Sequence, residues 1–268
     1  MTQTPASAGL PPLYSPPTVL RFPEHRGIGL RQASGFGFAA GTAAIPLTLP
    51  EFAAAGRSYP IVFAADAAAL PLALTGLKAG RNLFVAEDGS WRTGSYVPAY
   101  LRRYPFIAVE AQAGGPRMLG LDTTSPLVST DAARDGAEAL FDAEGRPTER
   151  ASAAMQLCEA YALEYEATQA FSAALVEHGL LVARTAELRL AGQGGQSEGG
   201  ADAPASSEAA TPDAVVTGFQ VVDEAAFRAL PGTVVAQFHE RGWLAPLVLH
   251  LASQLSWQVL LDGTATQA

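Results

Sequence analysis

The chain has 268 residues, 49% of them apolar, and a formal net charge of −9. That length and apolar content suit a folded chain with a sizeable core, as one large domain or two small ones, and argue against a disordered one. The acidic balance argues against general electrostatic binding to nucleic acid or to anionic membrane surfaces. The single cysteine, Cys158, cannot form an internal disulfide, so the fold does not depend on an oxidising compartment. Its place in a helical pattern suits a small core residue rather than a catalytic thiol.

Residues 1–20 are rich in proline and small polar residues and read as a flexible N-terminal arm. They carry no basic region followed by an apolar run, so no secretory signal is expected. No stretch of about 18 uninterrupted apolar residues occurs, and no membrane span is expected. The expected location is the cytoplasm, with signal-independent export to the cell surface left open. Arg26 to Arg31 alternates as a short edge strand would, and Phe36 to Ala40 reads as another. Gly27 and Gly29 are not a dinucleotide fingerprint, because the third glycine and a following long helix are missing.

Residues 45–110 are dense in aromatics, prolines and paired arginines. Leu49-Pro50-Glu51 suits a helix start running to Ala55. Tyr59-Pro60 then fixes an extended entry into the apolar Ile61-Val62-Phe63. The device recurs at Tyr104-Pro105, after a short helix over Tyr96 to Tyr104 and before Phe106 to Val109. These two steps are expected to launch neighbouring inner strands. Leu70 to Gly76 reads as a strand with Pro71 near its start. Asn82 to Val85 and Glu87 to Trp91 read as strand, Asp-Gly turn and strand.

Arg117 to Leu121 reads as a short strand, and residues 123–144 as a polar connection with a helical turn near 132–139. Pro147 to His178 is the clearest helix. Pro147 and Thr148 start it, Glu149 sits in its first turn and Gly179 stops it. Met155, Leu157, Tyr161, Leu163, Tyr165, Phe171, Leu175 and Val176 are its expected apolar face, and its glutamates its solvated one. Leu180 to Leu190 alternates as a strand whose partner is Val215 to Val222. Between them, residues 191–213 are Gly, Ser, Ala and Asp, a disordered low-complexity loop that lengthens a hairpin at small entropic cost. Asp223 caps a short helix, Pro231 opens a second, Gly242 breaks it, and Trp243 to Leu255 forms a last apolar helix. The reading is an α+β fold, with a mixed, largely antiparallel sheet, one long amphipathic helix and a C-terminal helical cap. One domain is expected over 21–190 and 214–262, followed by a tail at 263–268.

The residues that carry a family likeness run through most of the chain. They include Glu51-Phe52, Tyr59-Pro60-Ile61-Val62-Phe63, Asn82-Leu83-Phe84-Val85, Gly89-Ser90-Trp91 and Tyr96-Val97-Pro98-Ala99-Tyr100-Leu101-Arg102-Arg103-Tyr104-Pro105-Phe106. Gly218-Phe219, Asp223, Phe238-His239, Gly242 and Leu249 to Ser253 continue it in the tail. In this order of motifs, from about residue 20 to 261, the chain resembles the SapC family of bacterial proteins. The resemblance implies an accessory role near a paracrystalline surface layer or outer-membrane uptake systems, and no established reaction.

One polar constellation suits a ligand. Tyr59, Asn82, Trp91, Tyr96, Tyr100, Arg102, Arg103 and Tyr104 are expected near the strand ends, where rings stack on apolar ligand faces and guanidinium groups bind oxygens. The alternative is that Arg102 pairs with Glu110 or Glu51 and the tyrosines simply pack. His25, His178, His239 and His250 share no metal-ligand spacing, although His25, Glu51 and His250 are the residue types of an iron site. His250 on an apolar helix reads as a hydrogen-bonded core residue. No metal and no cofactor are expected. Three functions follow: an accessory or binding protein with an envelope or surface-layer partner, an enzyme acting on a glycan or small metabolite, and an assembly module that docks through its C-terminal helices.

Overall fold

The computed structural model describes residues 11–32, 35–110, 114–188 and 214–265. The elements in chain order begin with two short strands, β1 (Thr18–Val19) and β2 (Gly29–Leu30). Gly37–Ala39 is a 3-10 turn where a strand was expected. Two glycines at 35 and 37 weaken a strand, and the backbone closes on itself through Ala39 N–H to the Phe36 carbonyl at 2.8 Å. β3 (Ala44–Pro46) follows, and then a 3-10 turn at Leu49–Glu51 that runs into α1 (Phe52–Ala55). Both Tyr-Pro steps enter strands as expected, β4 (Ile61–Ala64) and, after β5 (Pro71–Leu74) and α2 (Ala99–Arg102), β6 (Phe106–Glu110).

β7 (Arg117–Leu121) is the expected strand. The connection after it holds β8 (Val128–Ser129), α3 (Ala132–Asp135) and β9 (Glu138–Ala139). α4 (Glu149–Glu177) is the long helix, β10 (Leu181–Leu188) and β11 (Ala214–Val222) are the hairpin pair, and their joining loop lies outside the described residues. The tail is α5 (Glu224–Arg228), α6 (Gly232–Glu240), α7 (Leu244–Ser253), a 3-10 turn at Gln254–Ser256 and α8 (Trp257–Ala265). Asp223 caps α5 by accepting from the Ala225 and Ala226 N–H groups. The Asn82–Trp91 segment is no hairpin of strands: its turn closes through Ala86 N–H to Ser90 carbonyl, but only Val85 and Trp91 pair.

The chain divides into two compact units interleaved in sequence. Unit 1 holds residues 1–40, 46–51 and 84–170, and unit 2 holds 41–45, 52–83 and 171–268. Residues 149–170 of α4 belong to the first and 171–177 to the second.

Unit 1 carries two antiparallel three-stranded sheets, β1-β7-β6 and β8-β2-β9. β2 is therefore the middle strand of its sheet, not an edge. Gly29 is required there, since a Cβ would sit 2.7 Å from the Glu138 carbonyl oxygen. The core packs Leu20, Ile28, Phe106, Leu121 and Leu140 against Ala151, Ala154 and Cys158 of α4. Each large apolar side chain buried in this way contributes about 1.5–3 kcal/mol. Of the expected arm, residues 1–10 lie outside the described residues, while in 11–20 Tyr14 is buried and β1 pairs with β7.

Unit 2 is built on the sheet β10-β11-β4-β5-β3, antiparallel at each of the pairs β10–β11, β11–β4 and β4–β5. Phe52, Phe63 and Phe171 pack together in its core. α7 docks on β4 and β11 through polar side chains. The Ile61 N–H donates to Ser253 Oγ at 3.0 Å, the Val222 N–H to His250 Nε2 at 3.0 Å, and Gln254 Nε2 to the Ile61 carbonyl at 2.8 Å. These side chains interrupt the apolar run, but mean hydropathy makes Leu244–Thr264 long and apolar enough to cross a membrane. The expectation of no such stretch holds only for uninterrupted apolar sequence. His250, Ser253 and Ser256 on this stretch are buried.

The expected apolar face of α4 is only partly the buried one. Tyr161, Phe171 and Leu175 are buried, while Leu163 and Val176 are 60% and 49% exposed. The buried stripe runs through small and hydroxylated residues, Ala151, Ala154, Cys158, Thr168 and Ser172. A search for large apolar residues misses a stripe made of small side chains.

Candidate functional site

The two Tyr-Pro strands fall in different sheets, so they do not pair as strands of one sheet. The local pattern that makes each strand says nothing about its partner. Of the eight candidate residues, Tyr59 and Asn82 are buried in unit 2. Trp91, Tyr96, Tyr100, Arg102, Arg103 and Tyr104 belong to unit 1, where they form two connected groups.

The first group centres on Glu51, which is buried at the end of its 3-10 turn. Its carboxylate accepts from the Thr48 N–H at 2.7 Å, the Thr48 hydroxyl at 2.9 Å, the Tyr96 hydroxyl at 3.1 Å and the Ala99 N–H at 2.7 Å. Ala99 is the first residue of α2, so Glu51 anchors the start of that helix. Arg102 is exposed and donates to the Tyr96 hydroxyl at 3.2 Å. It reaches Glu51 through that tyrosine rather than as an ion pair, while Glu110 pairs with Arg117 at 3.3 Å. Burial raises the Tyr96 pKa, and the Glu51 charge raises it further. Trp91 Nε1 donates to the Tyr96 carbonyl at 3.2 Å and fixes the approach to α2.

The second group centres on Arg103. Pro98, with φ −55°, sets the entry to α2, and the short helix places Tyr100 and then Arg103 inward. The Arg103 guanidinium carbon lies 4.0 Å from the Tyr161 ring centre, 4.8 Å from that of Tyr100 and 5.4 Å from that of Tyr14. Arg103 is only 7% exposed, and its Nε has no hydrogen-bond partner. The Tyr161 hydroxyl, also buried, has none either. Among the described residues no carboxylate lies in ion-pair contact with this guanidinium. Three ring faces offset part of the desolvation of the charge. Burial pushes the hydroxyls of Tyr14, Tyr100 and Tyr161 well above the usual phenol range, against the opposing Arg103 charge, so all three stay neutral donors.

Tyr104 closes the cluster, stacked on Phe38 at 4.4 Å and edge-on to Tyr14 at 5.2 Å. Sequence reasoning found Tyr100, Arg103 and Tyr104 but missed Tyr14 and Tyr161 as their companions. The one tyrosine within a proline-rich arm was the available signal for Tyr14. Tyr161 and Tyr165 stand one helical turn apart on α4 and stack at 6.2 Å, a pair masked by the helix's apolar pattern.

Arg117 borders an open, mainly apolar groove of about 420 Å³ on unit 1, walled by Leu20, Met118, Leu119, Phe141 and Met155. None of the eight candidates lines it. Arg117 there is paired with Glu110 and Glu166. Among the described residues no group of three or more His, Cys, Asp or Glu side chains could hold a metal ion. His25 sits in a turn and accepts at Nδ1 from the Arg21 N–H at 2.9 Å, while His250 is the hydrogen-bonded core residue expected.

No curated protein and no solved structure matches the chain. The SapC family model matches residues 20–260, so the chain belongs to the SapC family.

Proposed function

We propose that this protein is a small-ligand-binding accessory protein of surface-layer or outer-envelope biology, and that unit 1 holds its ligand at Arg103. The observation that supports this reading is a buried guanidinium with an unpartnered Nε, enclosed by three tyrosine rings. A buried charge of this kind is costly unless an acceptor completes it. A ligand oxygen would supply that acceptor, and the unpartnered, neutral Tyr161 hydroxyl would supply a donor. The envelope setting is the one the family resemblance implies, with an envelope or surface-layer protein as partner. The compartment in this reading is the cytoplasm, with signal-independent export to the cell surface as the other placement, and cell fractionation separates the two.

Native mass spectrometry of the full chain purified from a bacterial host tests the reading. A bound small molecule on the wild type, released on denaturation and absent from Arg103→Met, supports it. A bare wild-type chain, or the same mass on both proteins, overturns it.

A further inference from the structure

The segment from Pro11 to Pro17 covers Arg103 as a strap, and its contacts are specific. The Tyr14 ring sits over the guanidinium and edge-on to Tyr100 and Tyr104, at interplanar angles of 84° and 71°. The Tyr14 hydroxyl donates to the Phe106 carbonyl at 2.8 Å, the Ser15 N–H to Asp122 at 3.0 Å, and the Tyr100 hydroxyl to the Pro12 carbonyl. Leu13, between these anchors, holds φ at +73°, a left-handed conformation that strains a residue with a Cβ. The strap thus spends local strain to place one phenol ring in an aromatic slot against an incompletely bonded arginine.

We propose, on the reading of Arg103 as the ligand site, that Tyr14 is a built-in stand-in for an aromatic monocarboxylate, which displaces the strap and sets its carboxylate on Arg103. Each part of that ligand answers an observation. The edge-to-face slot suits an aromatic ring. The unpartnered Nε and the buried Tyr161 hydroxyl suit carboxylate oxygens. One negative charge matches one guanidinium. Among the described residues Arg103 is the cation acting on Tyr14, Tyr100 and Tyr161, and the negative charge of the buried Glu51 carboxylate is felt at Tyr161, which disfavours a phosphate dianion. The strap and the ligand compete for one place, so binding is weakened by the fraction of time the strap is closed.

Isothermal titration of the full chain with 4-hydroxybenzoate tests this, because its ring, phenol oxygen and carboxylate can replace what Tyr14 offers and add what Arg103 lacks. The matched neutral probe is 4-hydroxybenzyl alcohol, and D-glucuronate and inorganic phosphate are the other arms. The expected result is saturable binding of 4-hydroxybenzoate, at least about tenfold tighter to Tyr14→Ala and at least about tenfold weaker to Arg103→Lys, which keeps the charge but loses the planar fork. Tyr14→Phe keeps the ring and loses only the bond to Phe106, and should bind about two- to fivefold tighter than wild type, a guard against misfolding of the alanine variant. Equal affinity for the neutral alcohol, or no gain in either Tyr14 variant, overturns the proposal. Arg103-dependent binding of glucuronate or phosphate alone overturns the aromatic class while leaving Arg103 as a binding group. No binding of any probe overturns the proposal, and native mass spectrometry then judges the broader reading separately.

Discussion

The Arg103 guanidinium lies 4.0 Å from the centre of the Tyr161 ring, yet Arg103 Nε and the Tyr161 hydroxyl both lack a hydrogen-bond partner. A structural arginine in a core is ordinarily completed by a carboxylate. Among the described residues unit 1 buries two carboxylates, and both are engaged elsewhere, Glu51 with Thr48, Tyr96 and Ala99, and Asp122 with Ser15 and Thr124. The positive and negative centres of unit 1 are therefore separately bonded, and they should respond differently to substitution.

Arg103→Met should cost little stability. No carboxylate is stranded by the change, and lost ring contacts are offset by removal of a buried charge. The midpoint of urea unfolding should give a stability within about 1 kcal/mol of wild type or above it. A loss of several kcal/mol would make Arg103 a structural anchor.

Glu51→Gln should be costly. The amide keeps the shape, but one of its two ends can no longer accept, and at least one buried donor to that end is left without a partner. A loss of about 2–3 kcal/mol in urea unfolding is expected, with α2 and its tyrosines loosened first. An unchanged midpoint would show that the four bonds are replaceable.

His250 gives a pH dependence with a definite sign. Burial lowers its pKa from an ordinary value near 6.5 to about 4. Between those values the unfolded chain takes up a proton that the folded chain refuses, so this contribution is present above pH 6.5 and is lost as pH falls toward 4. The loss is about 3 kcal/mol over that window. Urea midpoints of wild type and His250→Gln, compared from pH 7 to pH 4.5, should converge as pH falls. Parallel curves would contradict the assignment.

Cys158 should be inert in the native protein. It is buried in the core of unit 1, and burial pushes its thiol up to about 11 against the opposing Arg103 charge. Its reaction with a thiol reagent at pH 8 should be at least about 100-fold slower than in urea. Equal rates would show that the α4 packing opens readily.

Much of the fold was legible because its signals are local. Tyr59-Pro60 and Tyr104-Pro105 marked strand entries, Asp223 marked a helix cap, and the alternation in Leu181 to Leu188 found its partner across an intervening loop. β2, β8 and β9 were not all legible, since two-residue strands carry no period. The pairing of β4 and β6 into separate sheets was hidden for another reason: sheet neighbours are chosen by contacts remote in sequence. The site shows the same divide. Tyr100 and Arg103 sit together in one motif, whereas Tyr14 and Tyr161 reach them from an arm and a helix.

The Arg103 Nε–H proton can be observed directly. In a proton–nitrogen NMR spectrum of the full chain, one arginine Nε–H signal should vanish in Arg103→Lys. On addition of 4-hydroxybenzoate to wild type that signal should move as a new acceptor arrives, with a titration curve matching the calorimetric one. A signal that stays fixed while the acid binds would place the ligand elsewhere and contradict the assignment of Arg103.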